Sequence, residues 1–272
     1  MDHQRILDQA RSWASADENV RLVVLTGSLA DESEPGDGLS DLDIELYVRE
    51  PRLLLDRGGW YHRFGQVLVV EELENPDWHP TRLVYYVDGK IDFMVASVRA
   101  AERSVGYDRA YRVLLDKDGL GDRLYRAPRT TQPPTEEEFS TCVHWFYAAA
   151  LMCAKSIVRD EPWMAKARDW DSKLELLRMI EWDHKARYGW DYDTWHLGVH
   201  MRRWMDADIA EALGKCWADF SAGNMTSALS ASMALFDHLV KRTAAALGCR
   251  PFDGDPVHGE IDRILALMPE QG

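Results

Sequence analysis

The spacing of apolar residues changes about half-way along the chain. Up to residue 127, short apolar runs rich in β-branched residues predict strands, with an amphipathic helix over residues 2–19 and another helix over Val98–Tyr111. From residue 136 onward, apolar residues recur every three or four positions, which predicts packed helices. The predicted strands include Leu22–Leu25, Gly65–Glu71, Thr81–Val87 and Lys90–Val95. We therefore expect an α/β (α+β) fold, with a mixed β-sheet flanked by helices followed by a helical bundle.

A proline-containing stretch marks the expected boundary between the two parts. Residues 126–135 hold three prolines among polar residues, and such segments commonly connect domains. Thr135-Glu-Glu-Glu138 then has the pattern of a capping box, which begins a helix. We expect one domain over residues 1–127 and a second over residues 136–272.

The predicted strand Leu22–Leu25 ends in a glycine, which makes it the most informative stretch of the chain. At Gly27-Ser28 the backbone can turn tightly and approach a ligand closely. Ser28 is also the expected start of a short helix, whose free N–H groups and positive dipole end would suit a phosphate. Gly27 and Ser28 are therefore candidates for phosphate binding, although a Gly-Ser pair also occurs in ordinary turns.

Two aspartates follow in the next predicted strand, Ser40–Val48. Asp41 and Asp43 are two residues apart, so in a strand they point to the same side. Two close carboxylates repel each other unless a cation lies between them, and Mg²⁺ usually binds one or two carboxylates together with substrate phosphates. A phosphate-binding turn beside paired aspartates indicates nucleotidyl transfer, whereas either feature alone also fits an ordinary surface turn or strand edge.

Asp92 is a third carboxylate, and it lies in a strongly apolar strand. Asp88-Gly89 before it predicts a tight hairpin between two strands. A charged side chain flanked by Ile91 and Phe93 is costly to bury without a partner. On this feature alone, Asp92 either lies on a solvated face or joins a charged site.

In order and spacing, these motifs resemble those of the nucleotidyltransferase superfamily related to DNA polymerase β. The rest of the chain resembles one branch, the aminoglycoside 6-adenylyltransferases, typified by streptomycin adenylyltransferase. The branch usually has Arg after Gly-Ser, whereas this chain has Leu29, so another cation must replace that Arg if it holds nucleotide phosphates. The matching pieces are Gly27-Ser28, Asp41–Ile44, Asp88–Phe93, Ala154-Lys155 and Leu176–Ile180.

This resemblance implies an enzyme that transfers AMP from MgATP to a hydroxyl of an aminoglycoside such as streptomycin, releasing pyrophosphate and inactivating the antibiotic. It implies that Asp41, Asp43 and Asp92 bind Mg²⁺ and are catalytic. ATP phosphates would lie at Gly27-Ser28, and Lys155 of the helical part would meet the triphosphate. The first domain would then be the nucleotidyltransferase domain and the second would bind the substrate.

A hydroxyl acceptor also needs a group that takes its proton, and a carboxylate of raised pKa is the usual choice. Asp169 and Asp171, together with Glu175, are the candidates from local context. Two residues apart on a helix, Asp169 and Asp171 point to different faces, so at most one of them would face a given cleft. Each is otherwise a surface acid or a clamp for a substrate ammonium.

Composition limits the possible partners. The formal net charge of −14 argues against nucleic acid and favours a cationic small molecule. No apolar run approaches the ~18 residues of a membrane span, and the N-terminus lacks the apolar core of a signal peptide, so we expect a cytoplasmic protein that does not bind a membrane. Four scattered cysteines indicate reduced thiols. We expect a monomer or a weak homodimer.

Two alternatives to the aminoglycoside hypothesis remain open. The acceptor could be a lincosamide, another small hydroxyl compound or a protein side chain. The chain could instead be a non-catalytic relative that only binds nucleotide. The presence of all three aspartates argues against this second alternative, because loss of a carboxylate is the expected sign of such decay.

Overall fold

The computed structural model describes residues 2–31, 36–74, 79–128 and 131–268. The chain divides into two compact units, Met1–Arg129 and Thr130–Gly272. The first contains strands with short helices, and the second is helical, which confirms the predicted α+β fold. Residues 129 and 130, inside the predicted linker, lie outside the described residues.

Within the described residues, the first unit has a mixed sheet of six strands in the order β3-β4-β5-β2-β1-β7. β2 and β5 run parallel, and the other neighbouring strands run antiparallel. β6 and β8 form a separate parallel pair. The strands are β1 Val20–Thr26, β2 Leu42–Val48, β3 Val67–Leu73, β4 Thr81–Tyr86, β5 Gly89–Ser97, β6 Val105–Tyr107, β7 Arg112–Asp116 and β8 Leu124–Arg126. The helices are α1 His3–Ala16, α2 Arg52–Leu55 and α3 Val98–Ala101, with 3₁₀ turns at Ser28–Ala30, Trp60–Phe64 and Leu120–Arg123.

The two sides of β2 have different environments. Leu42, Ile44 and Leu46 are buried in an apolar core that also contains residues of α1. Asp43 and Glu45 point to the other side and are partly exposed. The alternation therefore fixes the register of β2, because a shift by one residue would bury the acids in the apolar core.

The register of three strands brings distant parts of the chain together. Asp43 on β2 is the direct partner of Thr26 on β1 and of Asp92 on β5. The predicted hairpin between β4 and β5 is confirmed, but its two turn residues are Val87 and Asp88 instead of Asp88 and Gly89, since Tyr86 pairs with Gly89 across the turn. The polar ends of β1, β2 and β5 thus meet at one place in the sheet.

The helix predicted over Val98–Tyr111 is wrong beyond Ala101. The chain leaves the helix there and forms β6, which pairs with β8. On β6, the hydroxyl of Tyr107 donates a hydrogen bond to Glu45 of β2. Contacts with distant residues outweigh the local helical pattern in this segment.

The second unit is built around three long helices that share one apolar core. The capping box predicted at Thr135 is present, with the Thr135 hydroxyl accepting from the Glu138 N–H and the Glu138 carboxylate accepting from the Thr135 N–H. The helix predicted over residues 165–187 is confirmed and begins earlier, with a proline in its first turn. The helices are α4 Glu136–Val158, α5 Pro162–Tyr188, α6 Met201–Trp204, α7 Ala207–Gly214, α8 Ala222–Leu247 and α9 Asp255–Leu265.

α4 is long and apolar enough to cross a membrane by length and composition alone. However, 56% of its most apolar window is buried within the protein. Phe146 of α4 stacks on Phe236 of α8, with ring centroids 3.7 Å apart. α4 is therefore explained as the core helix of the second unit.

Replacing the cap of this helix should destabilise the second unit. Thr135→Ala removes the side-chain oxygen that accepts the Glu138 N–H, and we expect a loss of about 1 kcal/mol in the free energy of unfolding. Urea denaturation followed by far-UV circular dichroism measures it. Thr135→Ser keeps the oxygen and should behave like the wild type; equal losses in both variants would contradict the capping role.

Candidate active site

The three predicted aspartates lie close together at the ends of β2 and β5. Asp43 and Asp92 are direct neighbours in the parallel register of the two strands. Asp41, just before β2, is linked to Asp92 through Lys90, whose Nζ lies 3.1 Å from Asp41 Oδ2 and 2.8 Å from Asp92 Oδ2. The structure therefore brings the predicted carboxylates to one place and adds an ammonium group to them.

Gly27, at the end of β1, lies directly against the Asp43 carboxylate. A Cβ atom built on Gly27 would be 1.9 Å from Asp43 Oδ2, far inside the van der Waals limit. The backbone there has φ of +71°, a conformation that side chains with a Cβ rarely adopt. Only glycine therefore permits both the turn and the contact with Asp43.

The helix predicted to start at Ser28 is confirmed only as a 3₁₀ turn of three residues, Ser28–Ala30. A helix dipole is the sum of many aligned peptide units, so one turn contributes little of it. Ser28 itself is exposed. Leu29, where the branch usually has Arg, packs against the apolar core of the first unit and contributes no charge at this corner. Any phosphate binding at Gly27 and Ser28 would rest on hydrogen bonds from the backbone and from the Ser28 hydroxyl.

The carboxylates of this site are poorly compensated. Burial, followed by repulsion from Asp92, raises the pKa of Asp43 to about 6, against an opposing effect of Lys90. Burial also raises the pKa of Asp92, although its hydrogen bond and ion pair with Lys90 oppose the shift. Asp92 Oδ1 is buried and has no hydrogen-bond partner among the described residues. The negative charge of these carboxylates is therefore not fully balanced by Lys90, which favours the binding of a further cation.

These oxygen donors fit Mg²⁺ by their chemistry. In the part of the chain that the structure describes, however, no three acidic, His or Cys side chains are placed so as to hold a metal as they stand. Lys90 instead joins Asp41 to Asp92. The residues best suited to a metal are Asp43 and the free Oδ1 of Asp92, while Asp41 would have to part from Lys90. The metal role of the three aspartates stays a prediction.

The sequence analysis missed two residues of this site. Lys90 precedes Asp92 by two positions and so shares its side of β5, which the strand period could have indicated. Glu45 follows Asp43 by two positions for the same reason. Its carboxylate accepts hydrogen bonds from the hydroxyls of Tyr47, at 2.9 Å, and Tyr107. Burial raises the pKa of Glu45, and the two tyrosine hydrogen bonds oppose that shift.

The three candidate general bases of α5 lie in the second unit and in different surroundings, and Glu175 is buried and paired with Arg178 at 2.8 Å. Asp169 is buried and its Oδ1 lies 2.5 Å from Nζ of Lys173. Asp171 is exposed, with one oxygen 3.0 Å from Arg168. The difference in burial agrees with the prediction that Asp169 and Asp171 point to different faces of the helix. Because Asp169 is buried and already paired with Lys173, Asp169 is the weaker candidate for a base.

Asp171 also lines a cavity of about 580 Å³ in the second unit. The cavity is formed between α4 and α5 by apolar side chains such as Trp145 and Met152, with Glu175 beside them. Lys155, the predicted phosphate ligand, lies exposed on α4 one turn beyond Met152. Its role stays a prediction.

The family of the chain follows from a comparison with known proteins. A family described as streptomycin adenylyltransferase matches residues 1–253. The chain belongs to the streptomycin adenylyltransferase family. It is accordingly an enzyme of the adenylyltransferase type.

Relatives agree with this family over most of the chain. An aminoglycoside 6-adenylyltransferase of Bacillus subtilis (strain 168) is 26% identical over 271 residues, which cover 93% of each protein. One of Campylobacter jejuni is 24% identical over 258 residues, covering 90% of this chain and 88% of the relative. A crystal structure of an aminoglycoside 6-adenyltransferase from Bacillus subtilis aligns with 97% of this chain and 98% of its own, at 22% identity and a TM-score of 0.48.

Gly27→Ala should inactivate this family member without unfolding it. The new methyl group and the positive φ would push Asp43 out of place, and such a misplacement near the reacting groups costs about 100-fold in rate. Steady-state AMP transfer measures the loss. Gly38→Ala is the matched control, because nothing lies within 4 Å of its added Cβ. Near-native activity of Gly27→Ala would contradict the required contact.

The raised pKa of Asp43 predicts that this residue contributes less to the stability of the metal-free protein at neutral than at acidic pH. Between the ordinary value of 3.8 and about 6, the folded protein keeps a proton that the unfolded chain has lost, so this residue lowers stability as pH rises. Asp43→Asn should therefore stabilise the protein at pH 8 by on the order of 2 kcal/mol. The gain should shrink toward pH 4.5, as measured by urea denaturation in EDTA. A gain that is independent of pH would contradict the assignment.

Proposed function

We propose that this enzyme transfers AMP from MgATP to a hydroxyl of a streptomycin-like aminoglycoside, releasing pyrophosphate and inactivating the antibiotic. Membership of the family supports the adenylyl chemistry. The observation that carries the proposal is the adjacency of Asp43 and Asp92 at the Gly27 turn. Adjacent carboxylates beside a tight backbone turn are suited to a metal-bound triphosphate.

In this mechanism the residues of the first unit position ATP and balance its charge. The backbone at Gly27 and Ser28 donates hydrogen bonds to the phosphates. Asp43 and Asp92 hold Mg²⁺, with Asp41 as a further ligand. The metal, when bound, neutralises the phosphate oxygens on which charge develops. The hydroxyl oxygen of the acceptor then attacks the α-phosphorus, and the bond between the α-phosphorus and the pyrophosphate oxygen breaks.

A base must take the proton of the acceptor hydroxyl. Asp171 of the second unit is our candidate, ahead of Asp169, because the ion pair of Asp169 with Lys173 is buried whereas that of Asp171 with Arg168 is exposed.

The charge of the protein supports a polycationic acceptor. A net charge of −14 attracts cations such as aminoglycosides through long-range electrostatics. The cavity beside Trp145 offers an aromatic wall for an amino sugar, with Asp171, Glu175 and Arg168 on its lining. Arg168 pairs with Asp171 and would have to release it to a cationic acceptor. We propose that the second unit binds the acceptor, that Lys155 contacts the triphosphate, and that the enzyme acts in the cytoplasm as a monomer or weak homodimer.

Mass spectrometry of the product tests this function. Streptomycin incubated with the protein, ATP and Mg²⁺ should gain the mass of one AMP, with pyrophosphate released in equal amount. Asp43→Asn should give no product, because one ligand of the metal is lost. Asp56→Asn, an exposed aspartate of the same unit, is the matched control and should stay active.

Other results have distinct meanings. AMP transfer to a lincosamide or a protein in place of any aminoglycoside would overturn the acceptor and keep the chemistry. Bound ATP with no transfer to any acceptor would overturn the enzyme mechanism.

A further inference from the structure

Lys90 lies next to the hairpin turn between β4 and β5, yet its ammonium group is largely buried among the carboxylates of the site. Its side chain is only 18% exposed. Its Nζ contacts the carboxylates of both Asp41 and Asp92, at 3.1 Å and 2.8 Å, and lies 5.6 Å from the ring centroid of Tyr85. Two carboxylates and one aromatic face thus surround the ammonium, which replaces much of its contact with water.

The strands explain why the ammonium reaches this position. Lys90 and Asp92 are two residues apart on β5 and so point to the same side. Lys90 is also the direct cross-strand partner of Tyr85 on β4. The backbone therefore holds the base of the Lys90 side chain next to Asp92, and its length lets it reach Asp41 before β2.

The carboxylates need such a cation even without a metal. Asp43 and Asp92 are neighbours across β2 and β5, and Asp41 adds a third negative charge nearby. Carboxylates this close repel each other unless a positive charge lies between them. Lys90 supplies that charge to Asp41 and Asp92 through direct ion pairs. Its charge also opposes the rise in the pKa of Asp43.

We propose that Lys90 is a built-in counter-ion that holds Asp41 and Asp92 in place in the metal-free enzyme and competes with a divalent cation for them. The inference rests on the proposed function, because it assumes that these carboxylates bind metal. Its consequence is that the free enzyme binds a metal weakly, since Lys90 must first release the Asp41 oxygen and its charge repels a cation at the neighbouring Asp92 carboxylate. Lys90 is thus a positioning residue whose charge sets the metal affinity of the site.

Mn²⁺ binding in the absence of nucleotide and acceptor tests the competition. Titration of the free Mn²⁺ signal by electron paramagnetic resonance gives the dissociation constant directly. Lys90→Met, which keeps much of the side-chain length and loses the charge, should bind Mn²⁺ at least about tenfold more tightly. Lys90→Arg keeps the charge and should stay near the wild-type value. A weaker or unchanged affinity of Lys90→Met would overturn the proposal.

Lys215→Met is the matched control for the change in net charge. Lys215 pairs with Glu211 on the exposed surface of the second unit, so its loss should not alter Mn²⁺ binding. An equal gain in Mn²⁺ affinity in Lys90→Met and Lys215→Met would show that net charge alone causes the effect, and it would overturn the proposal.

If Lys90→Met does not fold, a second variant and a second measurement test the proposal. Lys90→Gln keeps hydrogen-bond donors for the carboxylates without the charge. In EDTA, Lys90→Gln should melt at a lower temperature than the wild type, and Mn²⁺ should raise its melting temperature by more than it raises that of the wild type. Equal rises would overturn the counter-ion role.

Metal binding by these carboxylates can be tested separately from the role of Lys90. If Asp92→Asn leaves Mn²⁺ binding unchanged in both the wild-type and the Lys90→Gln backgrounds, the metal lies elsewhere and the proposed function loses its basis.

Discussion

The repulsion between Asp43 and Asp92, held side by side on β2 and β5, is the constraint on which the site in the first unit depends. The parallel register fixes their adjacency, and the Gly27 turn leaves space for the Asp43 carboxylate but for no side chain of its own. Burial of these acids raises the free energy of the folded state unless cations compensate. Lys90 provides part of that compensation within the protein, and it is incomplete because Asp92 Oδ1 has no hydrogen-bond partner in the described part of the chain.

Local patterns found Gly27 and the three aspartates of the site, but not Lys90 and Glu45. Gly27 stood out because a glycine follows a buried strand, and Asp41 and Asp43 because two acids share one side of the next strand. Asp88-Gly89 predicted the hairpin that carries Asp92. The adjacency of Asp43 and Asp92 required the pairing of β2 with β5, which no local pattern specifies and which the family resemblance supplied.

Contacts between residues far apart in the chain explain the wrong helix prediction in the first unit. The segment after Ala101 has a helical pattern, but pairing with β8 and the hydrogen bond from Tyr107 to Glu45 favour a strand. The dipole expected at Ser28 is small because the helix ends after a single turn. In the second unit, by contrast, the three- and four-residue spacing of apolar residues predicted the long helices well, since their stability depends on a regular apolar face.

The position of Lys90 on a hairpin has a consequence for how the first unit assembles. Lys90 and Asp92 are neighbours in sequence, so their ion pair forms as soon as β4 and β5 meet across a two-residue turn. The pairing of β2 with β5 closes a much longer loop and is entropically slower. We therefore expect the cation to be beside Asp92 before Asp43 arrives, so that the two carboxylates meet with a positive charge already present.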